Sequence, residues 1–163
     1  MIKVFISASI QDKKIIDLIQ NTLQNIGIET ISPLYFSAAT QPIEEEIKNA
    51  IQTSDIIFLI LTPYTLSPDS VGNINYEIGF AQSINKPVYV FVERGTNIDV
   101  NMKATAYFTF DRINMVELKE RIKVVTEQAD MIKMEEEKKQ ALIAAGIMVG
   151  VPLFIWLLKN MKK

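Results

Sequence analysis

Residues 55–61, DIIFLIL, constrain the fold more than any other stretch of the chain. Six consecutive apolar side chains leave no polar face, so a strand made of them must be covered on both sides. Such strands belong to parallel sheets sandwiched between helices. The neighbouring segments repeat that logic. Residues 3–7 form a second short apolar run, and Ile15, Ile16, Ile19, Leu23 and Ile26 follow at helical spacing. Gly27 suits the end of that helix. Residues 28–31 read as a strand. Pro42 sits well as a first helical residue, and Glu44, Glu45 and Glu46 suit the positive end of the helix it opens. A loop is expected over 62–73, then a helix from about Ile74 to Ile84. Residues 88–92 and 107–110 supply two further strands.

Strands alternating with helices predict an α/β domain, a doubly wound (flavodoxin-like) parallel sheet with helices on both faces. Ligands of such sheets bind beyond the carboxyl ends of the strands. That rule puts Ser9, loop 32–41 and loop 62–73 along one rim.

Composition narrows the chemistry. Neither Cys nor His occurs among the 163 residues. Disulfides, thiolate nucleophiles and Cys-based zinc sites are excluded, as are Ser-His-Asp triads and facial-triad metal centres. No resident metal or cofactor is expected. Reactions must run on carboxylates, hydroxyls, Lys, Tyr or backbone dipoles. Fourteen basic residues face nineteen acidic ones over residues 1–158, a net of −5 with no basic stripe, which argues against a nucleic-acid partner.

Fifteen of the eighteen residues 141–158 are apolar and none is charged. A helix of that length covers about 27 Å, close to a bilayer's hydrocarbon thickness, so the run is expected to be a single membrane helix with Trp156 near an interface. With no signal peptide visible ahead of the first strand, the expectation is a cell-membrane tail anchor with a cytoplasmic head. Gly146 and Gly150 form a GxxxG suited to helix self-association, and Pro152 is expected to kink the span. The division expected is therefore a head over 1–113, a final helix and charged stalk over 114–140, the anchor over 141–158 and a basic tail over 159–163. Asn114 is expected to cap the final helix, with Glu117 completing a capping box and Leu118, Ile122, Val125, Ala129 and Ile132 packing on the head.

No P-loop and no GxGxxG is present. What does recur is an ordered series: VFISAS followed by Asp12, a long loop after the second strand, SDIIFLILTP, NINYEIGFA and NKPVYVF. This series, over residues 1–111, resembles the TIR (Toll/interleukin-1 receptor) domain family of microbial type. The resemblance implies cleavage of the nicotinamide–ribose bond of NAD+ by a helical glutamate, whose matching position is Glu77. Nicotinamide leaves as a neutral ring and needs no general acid, so one carboxylate can suffice. Ser9, Phe36, Ser67, Asn73 and Tyr76 are the implied substrate-binding residues. The resemblance further implies an antiviral defence effector that self-associates through its heads and through Gly146 and Gly150, with an upstream sensor protein as partner. Ala8 and Asn73 stand where the family carries aromatic residues, and the 67–73 loop is longer than common. Those departures favour a rival reading, a non-enzymatic scaffold; a third makes the apolar tail a membrane-perturbing effector.

A second resemblance falls on the same segment. Asp69, Gly72 and the run Glu77-Ile78-Gly79-Phe80-Ala81 are similar to the D-x-G…E-x-G-x-A pattern of nucleoside 2-deoxyribosyltransferase-like proteins. These also present a glutamate to an N-glycosidic bond. Both resemblances name Glu77.

Overall fold

A computed structural model describes residues 2–33, 43–98 and 103–144. The elements follow in order: β1 (Lys3–Ser7), a 3-10 turn (Ile10–Asp12), α1 (Lys13–Gln24), β2 (Glu29–Ile31), α2 (Ile43–Thr53), β3 (Ile56–Leu61), α3 (Pro68–Ser83), β4 (Val88–Glu93), β5 (Ala106–Phe110) and α4 (Val116–Ala144). All five strands are parallel, in the order β2-β1-β3-β4-β5. This is the doubly wound order expected from the alternation of strands and helices. The chain divides into two compact units, Met1–Thr126 and Glu127–Lys163. The sheet lies in the first, and the described part of the second is the remainder of α4.

The pleat sorts the strand side chains onto two faces. Phe5, Ile57, Leu59, Leu61, Val88, Val90 and Val92 share one core with Ala50 and Ile51 of α2 and with Ile74, Ile78 and Ala81 of α3. Val4, Ile6, Phe58, Ile60 and Phe91 alternate to the opposite face, and every residue of β3 is buried. Right-handed crossovers put α1 on that opposite face, where it buries Ile15, Ile16, Ile19 and Leu23. Leu118, Ile122 and Val125 at the start of α4 are buried as well. Each such side chain contributes roughly 1.5–3 kcal/mol of transfer free energy.

Helix ends follow local chemistry. Gly27 adopts φ 77°, and the chain closes α1 with hydrogen bonds from Gly27 N to Gln24 O (2.9 Å) and Ile28 N to Leu23 O (3.0 Å). The start of α3 corrects the expected loop. Ser67, with extended backbone, is the N-cap and Pro68 opens the helix, so Asn73 lies inside it. The Ser, Pro, Asp and Gly residues there read as a loop by composition, yet Ser followed by Pro is also a helix start.

At the final helix, Asn114 Oδ1 does accept the Val116 N–H (3.3 Å). Glu117 does not complete a capping box; it pairs with Arg94 at 3.2 Å. The charged segment 134–140, expected as a stalk, continues the same helix, and Ile132 is exposed rather than packed. Among the described residues no helix is long and apolar enough to cross a membrane. The expected membrane helix finds no support in the fold: from residue 145 onward it lies outside the described residues, as do Gly146, Gly150, Pro152 and Trp156.

Candidate active site

The carboxyl end of β1 is where the sheet reverses its build order, with β2 added on one side and β3 on the other. In open parallel sheets this switch point opens a crevice beyond the strand ends. Ser7 is the last residue of β1 and stands opposite Leu59 of β3. It shares the pleat face of Phe5, the face covered by α2 and α3.

α3 returns across that face after β3. Ile74 and Ile78 are its buried contacts, and Glu77 lies between them on the inner side of the helix. Helical spacing therefore drives a carboxylate inward at the same level as Ser7. Glu77 is only 7% exposed, and Ser7 Oγ donates a hydrogen bond to Glu77 Oε2. Burial pushes the Glu77 carboxyl above the usual carboxylate range, and the hydrogen bond from Ser7 opposes that shift with the smaller effect. A carboxylate held largely out of water by the fold, against its own hydration, is a signature of functional sites as well as of structural networks.

A second, partly buried cluster occupies the same edge. Asp12 closes the 3-10 turn after β1 and is 1% exposed. Thr62 Oγ1, just past β3, donates to Asp12 Oδ2 at 2.6 Å, and Arg112 Nη2, just past β5, donates to Asp12 Oδ1 at 2.8 Å. Arg112 also grips Glu93 at the end of β4 through Nε (2.6 Å) and Nη2 (2.7 Å). Glu93 first, and then Asp12, holds the guanidinium above its ordinary pKa. The same network shapes the loop after β3. Thr62 Oγ1 accepts the N–H of Tyr64 (3.2 Å) and Thr65 (3.3 Å), while Thr65 Oγ1 donates to Ile60 O at 3.0 Å. Arg112 lies over the Tyr64 ring, 5.6 Å from its centroid.

The residues expected at the rim separate into distinct roles. Glu77 is at the switch point. Ser9 caps the 3-10 turn by accepting the Gln11 N–H at 3.3 Å. Ser67 occupies the N-cap position of α3. Asn73 is exposed one turn before Glu77 on the same helix. Tyr76 is exposed, with Lys48 Nζ 5.6 Å from its ring centroid. Phe36 lies outside the described residues. Sequence reasoning missed Ser7, Thr62, Glu93 and Arg112. The signal for Ser7 was a polar residue ending an apolar strand; for Glu93 and Arg112 it was a charge at or just after a strand's carboxyl end. Among the described residues no group of three or more acidic side chains could hold a metal ion.

Solved structures share this fold at low identity. A Clostridium botulinum CMP N-glycosidase, BcmB, is 20% identical with a TM-score of 0.53, covering 74% of this chain and 98% of that one. A 2-deoxyribosyltransferase from Bacillus psychrosaccharolyticus is 19% identical with a TM-score of 0.52, covering 71% of this chain and 90% of that one. No curated protein matches the chain.

The family assignment corrects the resemblance to TIR domains: no TIR profile matches, and a different one does. The order of strands and helices behind that resemblance is one that other families also build. Residues 3–142 match the family described as "Domain of unknown function (DUF4062)", and the chain belongs to that family.

Proposed function

We propose that the chain is an enzyme that cleaves the N-glycosidic bond of a nucleoside or nucleotide, with Glu77 as the carboxylate that meets the anomeric carbon. The observation that carries this reading is the buried Glu77–Ser7 pair at the strand-order switch point. Breaking a C1′–N bond leaves positive charge on the sugar, and a carboxylate withdrawn from water stabilises that charge strongly. Ser7 holds Oε2 and leaves Oε1 for the sugar. As the C1′–N bond breaks, its electron pair departs with the base, and Oε1 bonds to C1′. Water then adds at C1′, the ester bond breaks to restore the carboxylate, and the proton lost by water ends on the released base. The products are the free base and the free sugar.

Two proteins that share the fold are named for chemistry at such bonds, a CMP N-glycosidase and a 2-deoxyribosyltransferase, which supports the reading. NAD+ is an N-riboside too, and nicotinamide release is its narrower form. The test is chromatography of cytidine, adenosine, their 5′-monophosphates and NAD+ after incubation with the full chain. Release of free base or nicotinamide from at least one is the expected outcome; complete recovery of all five intact would contradict the proposal.

A further inference from the structure

Tyr64 combines two properties that seldom occur together in a loop residue: it is exposed and it is held. Its side chain is 46% exposed at the carboxyl edge of the sheet. Its backbone N–H is bound by Thr62 Oγ1, and Thr62 Oγ1 is bound in turn to Asp12. Asp12 pairs with Arg112, and the Arg112 guanidinium lies over the Tyr64 ring. The circuit closes on Tyr64 itself. Glu93 accepts two further hydrogen bonds from Arg112, at Nε and Nη2, which fix the plane of the guanidinium beside the ring.

We propose that Tyr64 is the platform on which the base of a bound nucleoside or nucleotide stacks, a base-binding element of the site to which the N-glycosidase reading above assigns Glu77. The guanidinium lies over one face of the half-exposed ring, and the base would stack on the other. A rigid aromatic with few torsions to lose is suited to that task, because little entropy is spent on ordering it. Placement agrees. Tyr64 follows β3 by three residues, and β3 is the strand beside β1, whose last residue holds Glu77. Ile113, which follows Arg112, is 96% exposed, and Ile10, two residues before Asp12, is 72% exposed, so the turns after β5 and β1 also turn apolar side chains to solvent. All bases present a π-face, so a tyrosine platform accepts purines and pyrimidines alike while Glu77 addresses the sugar.

The experiment measures binding rather than turnover. Full-length Glu77→Gln is titrated calorimetrically with cytidine, adenosine and their 5′-monophosphates, alone and combined with Tyr64→Leu or Tyr64→Phe. The expected result is that Tyr64→Leu weakens binding of the purine and pyrimidine probes alike, by about tenfold, whereas Tyr64→Phe stays within about twofold. Unchanged affinity in Tyr64→Leu would overturn the platform, as would no binding of any probe by Glu77→Gln itself. Binding that depends on Tyr64 without base release by the unmodified chain would leave the platform standing and remove the cleavage reading. Base release with affinity indifferent to Tyr64 would do the reverse.

Discussion

Asp12 accepts a hydrogen bond from Thr62 Oγ1 at 2.6 Å, which ties the turn after β1 to the end of β3 at the carboxyl edge of the sheet. With Arg112 bound to the same carboxylate at 2.8 Å, the ends of four strands meet in one partly buried network. Arg112→Met would leave the Asp12 charge buried with Thr62 as its remaining partner among these groups. We expect a loss of about 3 kcal/mol in urea unfolding at neutral pH, in line with stranding a buried charge. The double variant Arg112→Met/Asp12→Asn should recover part of that loss, because the stranded charge is gone. A double variant less stable than the sum of the two singles would contradict this account of the pair.

Glu77 carries an opposite signature. Its folded pKa lies above its unfolded value, so the native state holds the proton more tightly between the two. Stability from this group is therefore present below the ordinary glutamate range and is lost as pH rises through the raised folded pKa. Glu77→Gln should be more stable than the parent at pH 8, by on the order of 1 kcal/mol, and the difference should vanish near pH 3. Thermal unfolding at the two pH values checks both sign and direction. A destabilised Glu77→Gln at pH 8 would show that the carboxylate supports the fold rather than burdening it.

Ser7 lowers the pKa of Glu77 by donating to its charged form. Ser7→Ala removes that help and leaves burial unopposed, so the carboxyl should rise further. For base release that needs ionised Glu77, the acid limb of the kcat/KM profile should move to higher pH. On the acid side of the limb the rate should fall by about tenfold, the size expected of a hydrogen bond to a charged group. An unchanged acid limb would separate Ser7 from the ionisation of Glu77.

Gly27 tests the backbone rather than the site. At φ 77° a Cβ is strained, although no heavy atom lies within 4 Å of where it would go. Gly27→Ala should cost about 1 kcal/mol through conformation alone. A neutral result in equilibrium unfolding would indicate that the loop after α1 relaxes to accommodate it.

The sheet was legible because its strands are continuous apolar runs, and β3 in particular admits no other placement. Glu77 was named from the sequence as the candidate carboxylate, but its burial against Ser7 was not legible there. The start of α3 was not, because Ser67, Pro68, Asp69 and Gly72 carry the composition of a loop while Ser67-Pro68 carries the chemistry of a helix cap. The Asp12–Arg112 pair was out of reach for a different reason. Its members lie 100 residues apart and meet only because β1 and β5 end on the same edge. The resemblance to TIR domains rested in part on an order of strands and helices that proteins outside that family share, so it spoke for the fold and not for the family.

The most direct measurement of the central claim is base release by the full chain and its Glu77→Gln variant, side by side, on the same nucleosides, nucleotides and NAD+. The variant changes one oxygen for nitrogen and is expected to remain folded, so lost turnover cannot be ascribed to lost structure. The account predicts release by the parent and a fall of at least about a thousandfold in the variant, the scale of removing a group that stabilises transition-state charge. Equal release by the two proteins would contradict it, because the reaction would then proceed without the carboxylate on which the site is built.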